Sequence, residues 1–83
     1  MSTGTVDITL SYPVKMAGAE VSVITMRRPK VRDMIVVSKS AATDVEREVR
    51  MFANLCQVEP SAIEDMDMAD YLKLQEAYSG FLS

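Results

Sequence analysis

With 83 residues there is room for one domain and a thin core, because a chain this short buries only about 60% of the surface it exposes when unfolded. A hydrophobic fraction of 48% and a charged fraction of 25% are ordinary for a folded globular chain and exclude wholesale disorder. The net charge is −3, histidine is absent and Cys56 is the single cysteine. That excludes an internal disulfide, the usual zinc-ligand sets and the Ser-His-Asp and Cys-His constellations, so the expectation is a non-enzyme with no metal and no cofactor in a reducing compartment.

The charge is uneven. Residues 1–42 carry six cations against three acids, a net of +3, whereas residues 43–83 carry nine acids against three cations, a net of −6. Such polarity suits copies meeting head to tail or a patterned partner, and equally a segregated solvated surface. No apolar run approaches the roughly 18 residues of a membrane span, and "MSTGTVD" lacks the basic flank and apolar stretch of a signal peptide, so the expected location is the cytoplasm.

In chain order, residues 1–4 are expected to be disordered. "VDITLSY" then alternates, with Val6, Ile8, Leu10 and Tyr12 on one face and Asp7, Thr9 and Ser11 on the other, as in a half-buried strand. Pro13 ends or edges that strand, Gly18 supplies a turn, and "VSVITM" sets Val21, Val23 and Thr25 against Ser22, Ile24 and Met26. The prediction is a β-hairpin within 5–27, strands near 5–12 and 20–27. The second strand is partly apolar on both faces, which leaves open whether it is covered on both sides or pairs at its edge with another chain.

Pro29 pushes Arg28 toward an extended conformation and suits the first turn of a helix, so the helical part is expected to run over 29–82. In "KVRDMIVVSKS", Val31, Met34, Ile35 and Ser38 have helical spacing while the β-propensity of "MIVV" competes, leaving helix or strand open for 34–37. Thr43 and Glu46 form a capping box ahead of Val45, Val49, Phe52, Ala53 and Cys56, predicting a helix over 44–56 with Cys56 as a core residue. Ser61 and Glu64 suggest a second capping box on a short helical turn after Pro60. Asp67 is a candidate N-cap for the last helix, with Asp70 in the first turn where a carboxylate suits the dipole. There Met68, Tyr71, Leu72, Leu74, Tyr78, Phe81 and Leu82 cover an arc of roughly 180°, wider than the 100° or so needed to dock on one core. The excess invites a second partner. The expected fold class is therefore α+β, one domain over 1–83 with an N-terminal β-hairpin followed by about three helices.

Ligand motifs fail on detail. Asp65, Asp67 and Glu76 match three positions of a calcium loop, but Ala69 and Asp70 occupy the ligand and glycine positions between them. Gly4, Gly18 and Gly80 are too scattered for a phosphate loop. The seven methionines serve either as core filler or as adaptable binding surface. Four of the nine cations, Arg27, Arg28, Lys30 and Arg32, fall within six residues, yet the pI of 4.8 and the lack of any aromatic between Tyr12 and Phe52 argue against nucleic acid.

The order "TLSYPV", Gly18, "TMRRPKVRDM", "EREVRMFANLCQV" and "AIEDMDMADYLKLQEAYSGFL" resembles the phage tail assembly protein E family, tail assembly chaperones of long-tailed bacteriophages and prophages, over residues 6–82. Its most specific part is R-x-P-x-x-x-D, here Arg27, Pro29 and Asp33. The resemblance implies a chaperone that binds the tape measure protein, keeps its hydrophobic helices soluble and helps recruit tail tube subunits in the host bacterial cytoplasm, absent from the finished virion. It also implies that such proteins occur in short and frameshift-extended forms, of which this length fits the short one. The expected client face is Tyr71, Leu74, Tyr78 and Phe81, with self-association through the hairpin edge or complementary charge. The alternatives are a small DNA-binding regulator or antitoxin using the hairpin and residues 27–32, and a tail component retained in the virion.

Overall fold

The computed structural model describes residues 4–39 and 43–83. The expectation of disorder at the N-terminus lies outside the described residues for 1–3, while the Gly4 carbonyl accepts the Arg28 N–H at 2.6 Å. Strand β1 (Thr5–Met16) and strand β2 (Ala19–Arg27) form an antiparallel two-stranded sheet. Ala17 and Gly18 join them with φ of 52° and 82°. Two successive residues at positive φ make the two-residue hairpin loop whose twist matches that of the strands. Gly18 adopts this freely; Ala17 does not.

Of the two readings of Pro13, the structure has the second: it stands in an edge strand of the two-stranded sheet, and the strand continues past it to Met16. The reason is a bulge. Thr9 pairs with Val23 and Val14 with Val21, so four residues of β1, Leu10–Pro13, face Ser22 alone. A proline has no N–H to give a ladder and is tolerated where the ladder is interrupted. Ile8, Leu10 and Val14 are buried, but the interruption turns Tyr12 out to solvent, and Val6 is also exposed. On β2, Ile24 and Met26 point into the core while Val23 and Thr25 point out, so that face of the strand is left open.

Helix α1 spans Val31–Ser38, which settles "MIVV" as helix. Its N-cap is Lys30, in an extended conformation, so Pro29 stands before the helix instead of beginning it. Helix α2 (Asp44–Cys56) starts as expected, with Thr43 Oγ accepting the Glu46 N–H at 3.1 Å. It ends at Gln57 in the left-handed region, with the Val58 N–H on the Ala53 carbonyl at 2.9 Å. Helix α3 (Pro60–Glu64) is capped at Glu59 with Pro60 in its first turn, which places Ser61 inside the helix and not at the expected cap. Helix α4 (Met68–Leu82) is capped by Asp67, whose carboxylate accepts the Ala69 N–H at 2.9 Å.

One face of the hairpin is covered, β1 by α4 and β2 by α2, and α1 and α3 pack on α2. An isolated hairpin would be marginal, and this cover supplies what it lacks. Phe52 of α2 sits at the centre, 5.5 Å from the Tyr71 ring and 5.6 Å from the Tyr78 ring, centroid to centroid. Met26, Leu55 and Leu74 fill the space around it, and Cys56 is a buried core residue whose thiol burial pushes up to about 11. The strained Ala17 gives the first prediction. Ala17→Asn, which tolerates the left-handed region, should raise stability by about 0.5–1 kcal/mol, read as a higher urea midpoint with unchanged slope.

Candidate functional site

The R-x-P-x-x-x-D residues meet at one carboxylate. Arg27, the last residue of β2, donates from Nη1 to Asp33 Oδ2 at 3.0 Å and from Nη2 to Oδ1 at 2.7 Å. The Lys30 N–H reaches Oδ2 at 2.8 Å and Asn54 Nδ2 reaches Oδ1 at 2.9 Å. Four donors match the four acceptor sites of an ionised carboxylate, so Asp33, only 2% exposed, is charged and fully satisfied. Pro29 explains the approach: its fixed φ sends the chain round from the end of the strand so that the third residue of α1 faces back onto it. The bidentate Arg27 bond, above all, holds the Asp33 carboxyl at about 2, and the same bond raises the Arg27 guanidinium. This arrangement joins β2, α1 and α2.

A second buried carboxylate joins α4 to β1. Asp70 accepts the Ser11 N–H at 2.8 Å and the Tyr12 N–H at 2.9 Å, both from the bulge where the ladder is interrupted. Lys73 lies 3.1 Å from the same carboxylate and donates to the Thr9 carbonyl and Ser11 Oγ at 2.9 Å each. Burial pushes the Asp70 carboxyl up, but the two backbone N–H bonds and Lys73 outweigh it, and the net direction is down. Neither Asp70 nor Asn54 was singled out as a partner by sequence reasoning. The available signal was spacing: Asp70, Leu74, Ala77 and Phe81 lie at i, i+4, i+7 and i+11, which puts the carboxylate on the buried stripe of α4.

The basic window is thus divided. Arg27 is held by Asp33, the Arg28 guanidinium stacks over the Phe81 ring at 5.7 Å, and Lys30 and Arg32 are exposed. The expected client face divides as well. Leu74 is fully buried and Phe81 nearly so, while Tyr71 and Tyr78 are half-buried against Phe52. In this fold Leu74 and Phe81 are core residues on the side of α4 that packs on the hairpin. The Tyr71 hydroxyl donates to Glu48, and burial with that neighbouring charge pushes the phenol up. Outward-facing on α4 are Met68, Leu72 and Leu82.

Two concavities are relevant. One of about 540 Å³ lies between the hairpin turn and the α2–α3 connection, lined by Met16, Val58 and Ala62 with Lys15, Glu59 and Asp65. Another of about 200 Å³ lies beside α1 and is lined by Met34, Val37, Met51, Phe52 and Tyr78, with Arg47 and Glu48 beside them. Among the described residues no cluster of three or more histidine, cysteine or acidic side chains could hold a metal ion. Nor is any of their helices long and apolar enough to cross a membrane.

The chain is thus a small α+β domain fastened by two buried aspartates, with apolar side chains left facing outward. The profile of the family described as phage tail assembly chaperone proteins, E, or 41 or 14, matches residues 7–83, and the chain belongs to that family, which is not one of enzymes. Comparison with curated proteins and with solved structures gives no match.

Two predictions follow from the carboxylates. The folded Asp33 lies below its unfolded value near 3.8, so its contribution, about 2 kcal/mol, is full above about pH 4 and is lost as pH falls through about 2. Asp33→Asn should cost about 2–4 kcal/mol at neutral pH and flatten the dependence of the urea midpoint between about pH 4 and 2. Asp70→Ala should cost about 2–3 kcal/mol and selectively remove amide-exchange protection at Ser11 and Tyr12.

Proposed function

We infer that this chaperone takes the tape measure protein as its client, covering the client's apolar helices until the tail tube assembles around it. The observation that carries this reading is the family match over 7–83, and the exposed apolar surface of a chain without a catalytic arrangement among its described residues supports it. Tail tube subunits are the second partner, recruited to the chaperone–client complex. The work is done in the host cytoplasm, and the protein leaves before the virion is complete. Of the expected client face, Tyr71 and Tyr78 keep part of their surface open, and Tyr78 borders the groove beside α1. Self-association through the hairpin edge or through the oppositely charged halves belongs to the same reading, since both strands of a two-stranded sheet are edges.

Co-expression tests it. With the tape measure protein of the same phage, the wild-type chain should move most of that client from the pellet to the supernatant and co-purify with it, while purified virions should contain none of the chaperone by mass spectrometry. An unchanged client pellet overturns the client assignment, and recovery of the chain from virions overturns its role as a departing factor.

A further inference from the structure

α1 has five large apolar side chains in eight residues and buries one of them. Val37 points inward beside Asp33, while Val31, Met34, Ile35 and Val36 stand 73%, 61%, 53% and 57% exposed. A helix seated by the hydrophobic effect alone turns its apolar stripe to the core. At 100° per residue, Asp33 and Val37 share one face of α1 and Val31 and Ile35 the opposite one, with Met34 on the flank above the groove. The rotation is held by Asp33, whose carboxylate takes donors from Arg27, Lys30 and Asn54. The ionic contact therefore seats α1 with its apolar side outward.

The charge around that face has one sign. Residues 28–39 contain Arg28, Lys30, Arg32 and Lys39, all exposed, and a single acid, Asp33, which is buried and paired. In the adjoining groove Glu48 accepts from Tyr71 and from Gln75 at 2.9 Å, and Arg47 is paired with Asp44. Met34 and Met51 flank that groove, and thioethers fit irregular apolar partners. We propose that the outward face of α1, with the groove between it and Met51 and Tyr78, is a docking surface for an amphipathic partner helix whose apolar stripe is bordered by carboxylates. Ridge and groove give such a helix anchors spaced one turn apart, and the cations select the sign of its border. The proposal rests on the chaperone reading and adds to it where the client lands and what chemistry is recognised there. A second copy is the competing occupant, because Met68 and Leu72 are exposed beside Glu64, Asp65 and Asp67.

The full chain is titrated by fluorescence anisotropy against two labelled amphipathic peptides that share one Leu/Ile stripe, bordered by glutamate in one and by lysine in the other. The glutamate peptide should bind at least about tenfold more tightly at low salt, with the gap narrowing as salt is added. Met34→Glu with Ile35→Glu should weaken that binding by more than about tenfold, while Leu72→Glu leaves it within about twofold. These side chains are exposed, so the variants should keep the wild-type circular dichroism and urea midpoint. Equal affinity for both peptides, or loss in Leu72→Glu with the α1 variant unaffected, overturns the proposal. So does self-association that the α1 variant abolishes and neither peptide displaces, which would assign the face to a second copy. An α1 variant that still solubilises the tape measure protein overturns this surface alone; a wild-type chain that fails to do so overturns the chaperone reading.

Discussion

The Asp33 carboxylate is the point on which the remaining structure depends, because three elements, the end of β2, the start of α1 and α2, converge on it. β2 contributes Arg27, the start of α1 contributes the Lys30 N–H, and α2 contributes Asn54. A buried ion pair gives little net stability over an apolar substitute, since desolvation offsets most of its attraction, but it is strict about geometry. Here that strictness sets the direction in which the chain leaves the hairpin and the rotation of the helix that follows. A leucine at the same position would hold α1 against α2 without choosing which side of it faces out.

Asp70 addresses a different problem with the same chemistry. The bulge in β1 places Ser11 and Tyr12 opposite a stretch of β2 that has too few residues to pair with them. Two unpaired N–H groups under a helix would be costly, and α4 answers with a carboxylate in its first turn. Lys73, one turn on, reaches both the carboxylate and the strand, so helix and bulge specify each other's register. Among the described residues no buried side-chain polar atom is left without a partner. The domain is small enough for its core to be thin, and saturated polar contacts of this kind set the positions that apolar packing leaves degenerate.

What could be read from the sequence follows the range of the interactions involved. The hairpin, α2 and the caps at Thr43 and Asp67 are local features, and alternation, 3.6-residue spacing and side-chain chemistry reveal them. Whether Pro13 ends its strand or only edges it depends on a bulge created by the mismatch between two strands, which no window on one strand contains. The division of the α4 stripe is not visible in its spacing, because which part of a wide apolar arc meets the core, here Leu74 and Phe81, depends on where the hairpin lies. Asp33 lies six residues from Arg27 across a proline, within one local window, whereas the Asn54–Asp33 and Asp70–bulge contacts span 21 and 59 positions; spacing places Asp70 on the buried stripe but does not name its partners.

A small domain that turns apolar side chains outward faces a conflict that this arrangement resolves. The outward side chains of α1 are apolar, yet an 83-residue chain has a small core and every incentive to take such side chains into it. Relying on packing alone to hold α1 would draw Val31 and Ile35 inward and leave nothing to present. Charge breaks the tie, because a paired aspartate on the inner face of α1 cannot be exchanged for the outer one without leaving Arg27 and Asn54 unmatched. The exposed cations beside it, Lys30, Arg32 and Lys39, give the same stretch of chain a positive surface. The uneven charge along the chain accompanies that outward turn, with a net of +3 over residues 1–42, which include α1, and −6 over residues 43–83.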